Sequence, residues 1–322
     1  MTIGRRGLLA SALALATTRA GATRPLNLLI GAAAGSATDQ AARAFAPFLE
    51  RHLPHTRVGI VNLPGENGLT AWRSLAGATD GGATLGWLST PALTARSVER
   101  AEAADLPDRL RLLGSVAREP ITFVSSPDAE LPLTTAQDLV RFSGENADAV
   151  PLATPPAGSP PHLAALRLQA MVRTRLNIVT FPSATAARQA ALSHHVAAAV
   201  LALGDAIEAL RAGTLTGLGM AAKSRADAFP DMPLLRESGL QFSAVIRRGL
   251  AGPAGMPDAV ADAIGAALRD VTEDAEFRAQ ADAAGFVAAW LDGVGWTGQM
   301  AGDRADLRRL WRDGAWLASG DG

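Results

Sequence analysis

Short apolar runs that alternate with helical segments are the feature that most restricts how this chain can fold. Leu26–Ile30, Val58–Val61 and Thr84–Leu88 each have the length and apolar character of a buried strand. A helix is predicted from about Asp39 to His52, and a shorter one follows a Pro/Gly turn at 63–68. Because parallel strands can pair only across a crossover connection, this order predicts βαβ units and an α/β fold.

The same alternation continues toward the C-terminus. The pattern predicts two separate strands at 112–116 and 121–125, and a Gly-rich turn between Val287 and a last helix that begins near Gly298. Further strands are predicted at 151–153, 177–181, 196–203 and 215–221, and further helices at 133–142, 161–172, 185–192, 205–212, 258–273 and 275–284. About 300 residues is long for one core, so two lobes are expected.

The N-terminus predicts export. Arg5 and Arg6 precede an apolar stretch at 8–16, and Ala20–Ala22 supplies small residues for cleavage after Ala22. The stretch is too short to span a bilayer core of roughly 30 Å, so residues 1–22 are interpreted as a signal peptide. The paired arginines favour the twin-arginine route to the periplasm, and an ordinary secretory signal is the alternative. We expect no stable membrane insertion after cleavage.

Charge and cysteine content exclude several classes of protein. The chain has 30 basic and 31 acidic residues, and removing Arg5, Arg6 and Arg19 leaves 27 basic residues and a net charge of −4. Such a chain lacks the basic field of a nucleic-acid binder. It contains no cysteine, which excludes disulfides and thiol catalysis. Neither a Gly-x-Ser-x-Gly nor a His-Glu-x-x-His motif occurs, so we predict a binding protein without catalytic residues, metal or cofactor.

The first candidate ligand loop lies between the first strand and the first helix. Ser36 and Asp39 have the spacing of a capping box, with Ser36 as the N-cap. Free amides of such a helix N-terminus attract anions. Gly35, Ser36, Ala37, Thr38 and Asp39 are therefore candidates for ligand binding, and an ordinary capped helix without a ligand is the alternative.

The second candidate loop carries Gly158, Ser159 and His162 between a short strand and a helix. Pro160 and Pro161 suit the first turn of that helix, where a missing N–H costs nothing. His162 would lie in the same turn, either as a ligand contact or as a hydrogen-bonded structural residue. A hydrolase that uses Ser159 with His162 is a remote alternative, because no partner acid is evident.

Several segments, in the same order and at closely matching spacing, resemble the periplasmic receptors of tripartite tricarboxylate transporters, often called the Bug family. The family's Pro-Gly-Gly-x-x-Asp loop and the Ala-Arg after it are similar to residues 34–43. Its Gly-Ser-x-x-His-Leu loop is matched by Gly158–Leu163, and its Pro-x-x-Pro-x-x-x-Glu-x-Gly run by Pro230–Gly239. Its Val-x-Asn-x-Pro-Gly and Ala-Pro-Ala-Gly-x-Pro segments are similar to 60–65 and 251–257. The resemblance covers essentially the whole mature chain.

The resemblance implies a two-lobed periplasmic binding protein of type II, a Venus flytrap with a ligand cleft between its lobes. One lobe would comprise 24–118 and 224–322, and the other 119–223. A small carboxylate would be held by the two loops above and by a third loop. The third loop maps to Phe181, Ser183 and Ala184. The implied partners are the membrane subunits of a tripartite transporter, and the receptor would be a monomer.

The chain departs from the family pattern at several ligand positions. Arg247 and Arg248 replace a usual pair of aromatic residues, and Thr180–Ser183 replaces nearly all of Pro-Tyr-Lys-Gly. We predict that Arg247 or Arg248 faces the cleft and binds the ligand's carboxylate, because arginine matches carboxylate geometry. A solvated arginine pair is the alternative. A sensory protein that presents its ligand to a membrane-bound signalling partner is the alternative function.

Overall fold

A computed structural model describes residues 23–128 and 130–317. The predicted signal peptide, residues 1–22, lies outside the described residues. Within the described part, the helices are all too short or too polar to cross a membrane. The same residues form ten strands: β1 (Arg24–Ile30), β2 (Thr56–Asn62), β3 (Thr84–Thr90), β4 (Leu110–Ser125), β5 (Pro151–Thr154), β6 (Asn177–Thr180), β7 (Ala198–Ala202), β8 (Thr216–Met220), β9 (Val245–Pro253) and β10 (Val287–Asp292).

Ten α-helices connect and cover these strands in the described part of the chain. Their apolar positions recur at helical spacing, as in α1, where Ala42, Phe45 and Leu49 are buried. The helices are α1 (Ala37–His52), α2 (Leu69–Ala76), α3 (Ala92–Glu99), α4 (Ala136–Glu145), α5 (Pro160–Val172), α6 (Ala184–Leu192), α7 (Leu203–Arg211), α8 (Asp258–Glu273), α9 (Ala275–Ala283) and α10 (Gly293–Asp313).

The sheet has two halves. In the first half the order is β2-β1-β3-β9-β4, with β10 on the far side of β4. Strands β1, β2 and β3 are parallel, as the βαβ pattern predicts, with Leu28 opposite both Ile60 and Leu85. In the second half β4 lies between β8 and β7, and the order continues through β5 to β6. Here β5 is parallel to β6 and β7, so the second half repeats the α/β plan.

Strand β4 joins the two halves, and it differs from the prediction of two separate strands. It runs unbroken from Leu110 to Ser125. Its first part pairs with β9 and β10, and from Ile121 onward it pairs with β7 and β8. Pro120 stands where the partners change, so its missing N–H interrupts neither ladder. The prediction of two strands was wrong because the pairing partners change at Pro120 while the strand itself continues.

The start of α10 is the second difference. The expected Gly-rich turn is instead the end of strand β10 and the first turn of α10, which begins at Gly293. Asp292 caps this helix by accepting a hydrogen bond of 2.6 Å from the Gly295 amide. Such a cap stabilises a helix start that is rich in glycine, because the capping side chain satisfies one of the first-turn amides.

Each half of the sheet has its own buried core. In the first half Leu28, Phe45 and Trp87 pack with residues of α8 and β9. In the second half Phe123, Leu152, Val200 and their neighbours pack with Leu235, Leu240 and Ala244. Two cores joined by the continuous strand β4 and its neighbour β9 give the two-lobed α/β fold that the sequence predicts. We call β4 and β9 the crossing strands.

Candidate functional site

The loop after β1 is built around Asp39, which is only 1% exposed. Ser36 is the N-cap of α1, as predicted, and its Oγ accepts from the Asp39 amide at 3.3 Å. The Asp39 carboxylate accepts from the Gly35 amide at 2.8 Å, from Arg43 Nε at 2.9 Å and from Asn62 Nδ2 at 2.9 Å. These hydrogen bonds lower the pKa of Asp39 to about 2, and the bond from Arg43 has the largest effect. Asp39 therefore fixes the loop from within as a carboxylate.

The second predicted loop is also internally bonded. The His162 imidazole is buried, and its Nδ1 accepts from the Gly158 amide at 3.2 Å. Burial lowers the pKa of His162 to about 4, so the ring is neutral at pH 7. The Oγ of Ser159 caps helix α5 by accepting from the His162 amide at 3.4 Å. Ser159 is thus the N-cap of α5, and His162 lies in the first turn of the same helix.

The protein's own side chains cover this second loop. Gly158 has a φ of +73°, and a Cβ atom there would clash with Arg96 Nη2 and Glu99 Oε1, so glycine is favoured. Arg96 and Glu99 form a buried ion pair of 2.8 Å. The indole Nε1 of Trp316 donates to Glu99 Oε1 at 2.5 Å. Gly158 therefore contacts α3 and the segment after α10.

The third predicted loop enters helix α6. Ser183 is exposed and caps α6 by accepting from the Ala186 amide at 3.1 Å. Phe181 is partly buried against the apolar core beneath the loop, as is Ala184. Ala184 also borders a cavity that is lined by several predicted site residues.

This cavity, which we call the α1-side cavity, has a volume of about 640 Å³. Residues from both halves of the sheet line it: the first turns of α1, α6 and α7, the end of α9, strand β3 and the crossing strands. It brings together four predicted site residues, Ala37, Thr38, Ala184 and Arg248. Its lining does not include the remaining predicted residues, Gly35, Ser36, Asp39, Gly158, Ser159, His162, Phe181, Ser183 and Arg247.

The α1-side cavity also contains charged groups that the sequence analysis missed. Glu119 forms an ion pair with Arg248, and Glu119 Oε1 accepts from the Gly204 amide at 3.0 Å. The Arg248 guanidinium lies over the Phe286 ring at 4.7 Å from its centroid. Burial, with the nearby Glu119 charge, raises the pKa of Asp205 to about 6. Asp205 follows strand β7, and ligands of open α/β sheets bind at the carboxyl ends of strands. This position is the one sequence signal that could have indicated Asp205 as a site residue.

Trp87 supplies an unsatisfied donor at the same cavity. The residue lines the cavity from β3 and packs against Phe45, with ring centroids 4.8 Å apart. Its Nε1 is buried, and no acceptor bonds it among residues 23–128 and 130–317. Buried donors are usually paired, so an acceptor that reached this indole N–H would satisfy it.

A second cavity lies on the other face of the crossing strands. Side chains alternate along a strand, so Arg247 and Arg118 face away from Arg248 and Glu119. Arg247 and Arg118 line this α10-side cavity, which has a volume of about 500 Å³ and is bordered by α5 and α10. The two arginines singled out by sequence therefore face different cavities. In the described residues, we find no cluster of three His, Asp or Glu side chains that could hold a metal.

Comparison with known proteins agrees with this architecture. Residues 41–293 match the family described as the tripartite tricarboxylate transporter family receptor. The chain is 28% identical over 271 residues to a UPF0065 protein of Bordetella bronchiseptica, which covers 83% of this chain and 78% of the relative.

Solved structures with the same fold include a TctC solute-binding protein and MatC. A TctC solute-binding protein from Polaromonas has a TM-score of 0.77 and 23% identity, covering 90% of this chain and 99% of that chain. MatC of Rhodopseudomonas palustris, solved with bound malate, has a TM-score of 0.72 and 22% identity, covering 89% of this chain and 98% of that chain. Because the family match extends over 41–293 of the 322 residues, the protein belongs to the family of tripartite tricarboxylate transporter receptors.

Proposed function

We propose that this protein is a periplasmic receptor that binds a small carboxylate in its cleft and presents it to the membrane subunits of a tripartite transporter. The observation that carries the proposal is the α1-side cavity, where loops of both sheet halves meet in a member of this receptor family. The malate in MatC is a ligand of the same chemical class. Export through the predicted signal peptide would place the receptor in the periplasm.

The proposed ligand contacts combine backbone amides with a few side-chain donors. Ala37 and Thr38 lie in the first turn of α1, whose free N–H groups attract an anion. The unpartnered Trp87 Nε1 is a further donor. Arg247 faces the other cavity. We retain the remaining predicted contacts as part of the proposal: Gly35, Ser36, Ala37, Thr38, Asp39, Gly158, Ser159, His162, Phe181, Ser183, Ala184 and Arg248.

The proposed mechanism is closure of two lobes around the ligand. The sequence divides the lobes as 24–118 with 224–322, and 119–223. Because Leu240 and Ala244 pack in the core of the second half, we propose that the second lobe extends to about residue 244. A ligand that contacts both lobes favours the closed state by its differential affinity, and the membrane partner would recognise that state.

Binding without catalysis is part of the same proposal. The Ser159 Oγ accepts from a backbone amide and the His162 Nδ1 accepts from another, so both groups have structural partners. A serine nucleophile would need a base within hydrogen-bond reach of its Oγ. The arrangement therefore supports a capped helix N-terminus rather than a hydrolase.

Thermal unfolding of the mature chain with a panel of carboxylates tests the proposal. A ligand at 100 times its Kd should stabilise the protein by about 2.7 kcal/mol, which raises the melting temperature visibly. Trp87→Phe keeps an aromatic ring and removes the donor, so we expect roughly tenfold weaker binding of the compound that gives the shift. Trp311→Phe, on α10 and outside the cavity, is the matched control.

Two results would contradict the proposal. If no di- or tricarboxylate shifts the melting temperature, the protein does not bind this class of ligand. If a carboxylate binds equally well to the wild type, Trp87→Phe and Trp311→Phe, the α1-side cavity does not provide the proposed donor.

A further inference from the structure

Two arginines stand directly opposite each other at the crossing strands. Arg118 of β4 and Arg247 of β9 are register partners in the antiparallel pair. Side chains at such positions leave the same face of the sheet, with Cβ atoms roughly 4.5–5.5 Å apart. Like charges in this arrangement destabilise a sheet, and a guanidinium stays charged at any physiological pH. The pair therefore places two uncompensated positive charges side by side.

The described residues do not neutralise these charges. In residues 23–128 and 130–317, ion pairs within 4.0 Å are found for other arginines but not for Arg118, Arg247 or the nearby Lys223. Arg118 Nη2 donates to Ser224 Oγ at 2.8 Å, and Arg247 Nε donates to Gln299 Oε1 at 2.6 Å. Both acceptors are uncharged, and most of the ten guanidinium N–H donors have no acceptor among the same residues.

Two carboxylates of α10 line the cavity and are held by other arginines, whereas the charge of Asp227 partly opposes the lowering of the Arg118 pKa. Asp303 forms an ion pair of 3.0 Å with Arg167, and Asp306 bonds Arg309 on the next turn of α10. Burial and the neighbouring Arg118 both lower the pKa of Arg247, although Asp303 partly opposes them. Burial likewise lowers the pKa of Arg118. An anion bound between the two guanidinium groups would stabilise the charged form of each.

The α10-side cavity gives such an anion room and an apolar surface. Its volume of about 500 Å³ accommodates a small organic molecule. Arg118 and Arg247 are half-buried, whereas Lys223 is exposed at the rim. The apolar part of the lining is Pro91, Ile121, Pro160, Leu163, Ala164, Ala244 and Val245. The cavity therefore combines a cationic group at the sheet with apolar walls from both halves of the fold.

We propose that the α10-side cavity is a second binding site, which holds the carboxylate of a small organic acid between the guanidinium groups of Arg118 and Arg247. The hydrocarbon part of the acid would pack on the apolar walls, and Lys223 would attract the anion at the rim. Paired arginines suit this role because each guanidinium can bind a carboxylate through two parallel hydrogen bonds. This site goes beyond the proposed function, since it lies on the opposite face of the crossing strands from the α1-side cavity, although Pro160 beside the second loop also lines it.

The first test measures the anion site without requiring the natural ligand. Melting temperatures of the chain from residue 23 onward are compared in sodium sulfate and in sodium chloride at equal ionic strength. We expect sulfate to produce a saturable increase in the wild type that is lost in Arg118→Gln/Arg247→Gln. Arg111→Gln, on the same strand but paired with Asp258, is the control and should behave as the wild type. An equal sulfate effect in the wild type and the double variant would overturn the proposal.

The second test measures the preference for a carboxylate on an apolar body. Calorimetric titration compares pentanoate with its neutral analogue pentanamide. Pentanoate should bind the wild type at least tenfold more tightly than it binds Arg118→Gln or Arg247→Gln, and more tightly than pentanamide binds. Arg247→Lys keeps the charge but not the paired donors, so it should bind pentanoate with intermediate affinity. Equal affinities for the acid and the amide, or for the wild type and the glutamine variants, would refute the site.

The two proposals fail in distinguishable ways. Circular dichroism first establishes that each variant is folded. If the carboxylate panel binds the wild type and Trp87→Phe weakens it while the arginine variants change nothing, the receptor function stands and the second site is wrong. If sulfate stabilisation depends on both arginines but no panel compound depends on Trp87, the second site stands and the α1-side assignment is wrong.

Discussion

Asp39 of the first loop and Asp205 of the α1-side cavity have surroundings that shift their pKa values in opposite directions. Hydrogen bonds from Arg43, Gly35 and Asn62 keep the pKa of Asp39 at about 2. Burial, followed by the nearby charge of Glu119, raises that of Asp205 to about 6, and the positive charges of Arg248 and Arg188 only partly oppose this. Asp39 is therefore an ionised residue that organises the first loop, and Asp205 is a carboxyl that titrates near neutral pH.

Replacing Asp205 with asparagine should stabilise the protein near neutral pH. The folded pKa of about 6 exceeds the ordinary value of 3.8, so the folded state binds the proton more tightly. The stability that this proton contributes is complete below pH 3.8 and is lost as the pH rises through 6. Asp205→Asn stays neutral at every pH, so its melting temperature should exceed that of the wild type at pH 7.5.

The pH dependence provides the control for this prediction. The advantage of Asp205→Asn should shrink toward zero between pH 6 and pH 4, where the wild-type carboxyl becomes protonated. Asp231→Asn, at an exposed position, should give no such difference. Thermal unfolding across this range would contradict the interpretation if the advantage were the same at both ends.

At the scale of elements, each of the three predicted ligand loops contains the N-cap of the helix that follows it. Ser36, Ser159 and Ser183 cap α1, α5 and α6, each by accepting a hydrogen bond from a backbone amide three residues later. The three predicted ligand loops therefore all end at a capped helix. The cap holds the loop rigid, and it leaves other first-turn amides free for a ligand.

Ser159→Ala should weaken helix α5 by removing its cap. We expect the free energy of unfolding to fall by about 0.5–2 kcal/mol, the usual cost of losing a serine N-cap. Ser159→Asp keeps a capping oxygen and should recover most of the loss. Urea denaturation measures both variants, and an unchanged stability of Ser159→Ala would show that the Oγ does not act as a cap.

At the scale of the whole molecule, α10 connects the two halves of the sheet. Leu307 of α10 is fully buried with Ala95 of α3 and Leu163 of α5, and Arg167 pairs with Asp303 beside them. Helix α5 covers the second half of the sheet, whereas α3 and α10 belong to the first. The C-terminal helix thus adds an apolar contact between the lobes, in addition to the crossing strands.

Leu307→Ala should disrupt this contact between the lobes. Truncating a fully buried leucine leaves a cavity and costs about 2–5 kcal/mol of stability. Val294 lies on the same helix and is 86% exposed, so Val294→Ala should change stability by less than about 0.5 kcal/mol. Chemical denaturation measures both variants. Equal effects at the two positions would mean that Leu307 does not support the lobe contact.

The sequence by itself determined the alternation of strands and helices and some of their ends, although helix α3 and the start of α10 were not predicted. The cap at Ser36 and the span of α8 follow from capping and periodicity, which act over three or four residues. The βαβ order likewise required parallel pairing of β1, β2 and β3. These features could be predicted because the interactions that produce them are local in the chain.

Only the tertiary structure decided which residues share a cavity. Asp205, Glu119 and Arg248 meet because β4, β9 and α7 converge, although they are far apart in the sequence. The pairing register places Arg118 opposite Arg247 and turns both away from Arg248. Register depends on the packing of distant strands, and a shift of one residue would reverse every side chain. Local sequence patterns contain no such information, so the sequence identified the arginines but not the cavity that each one faces.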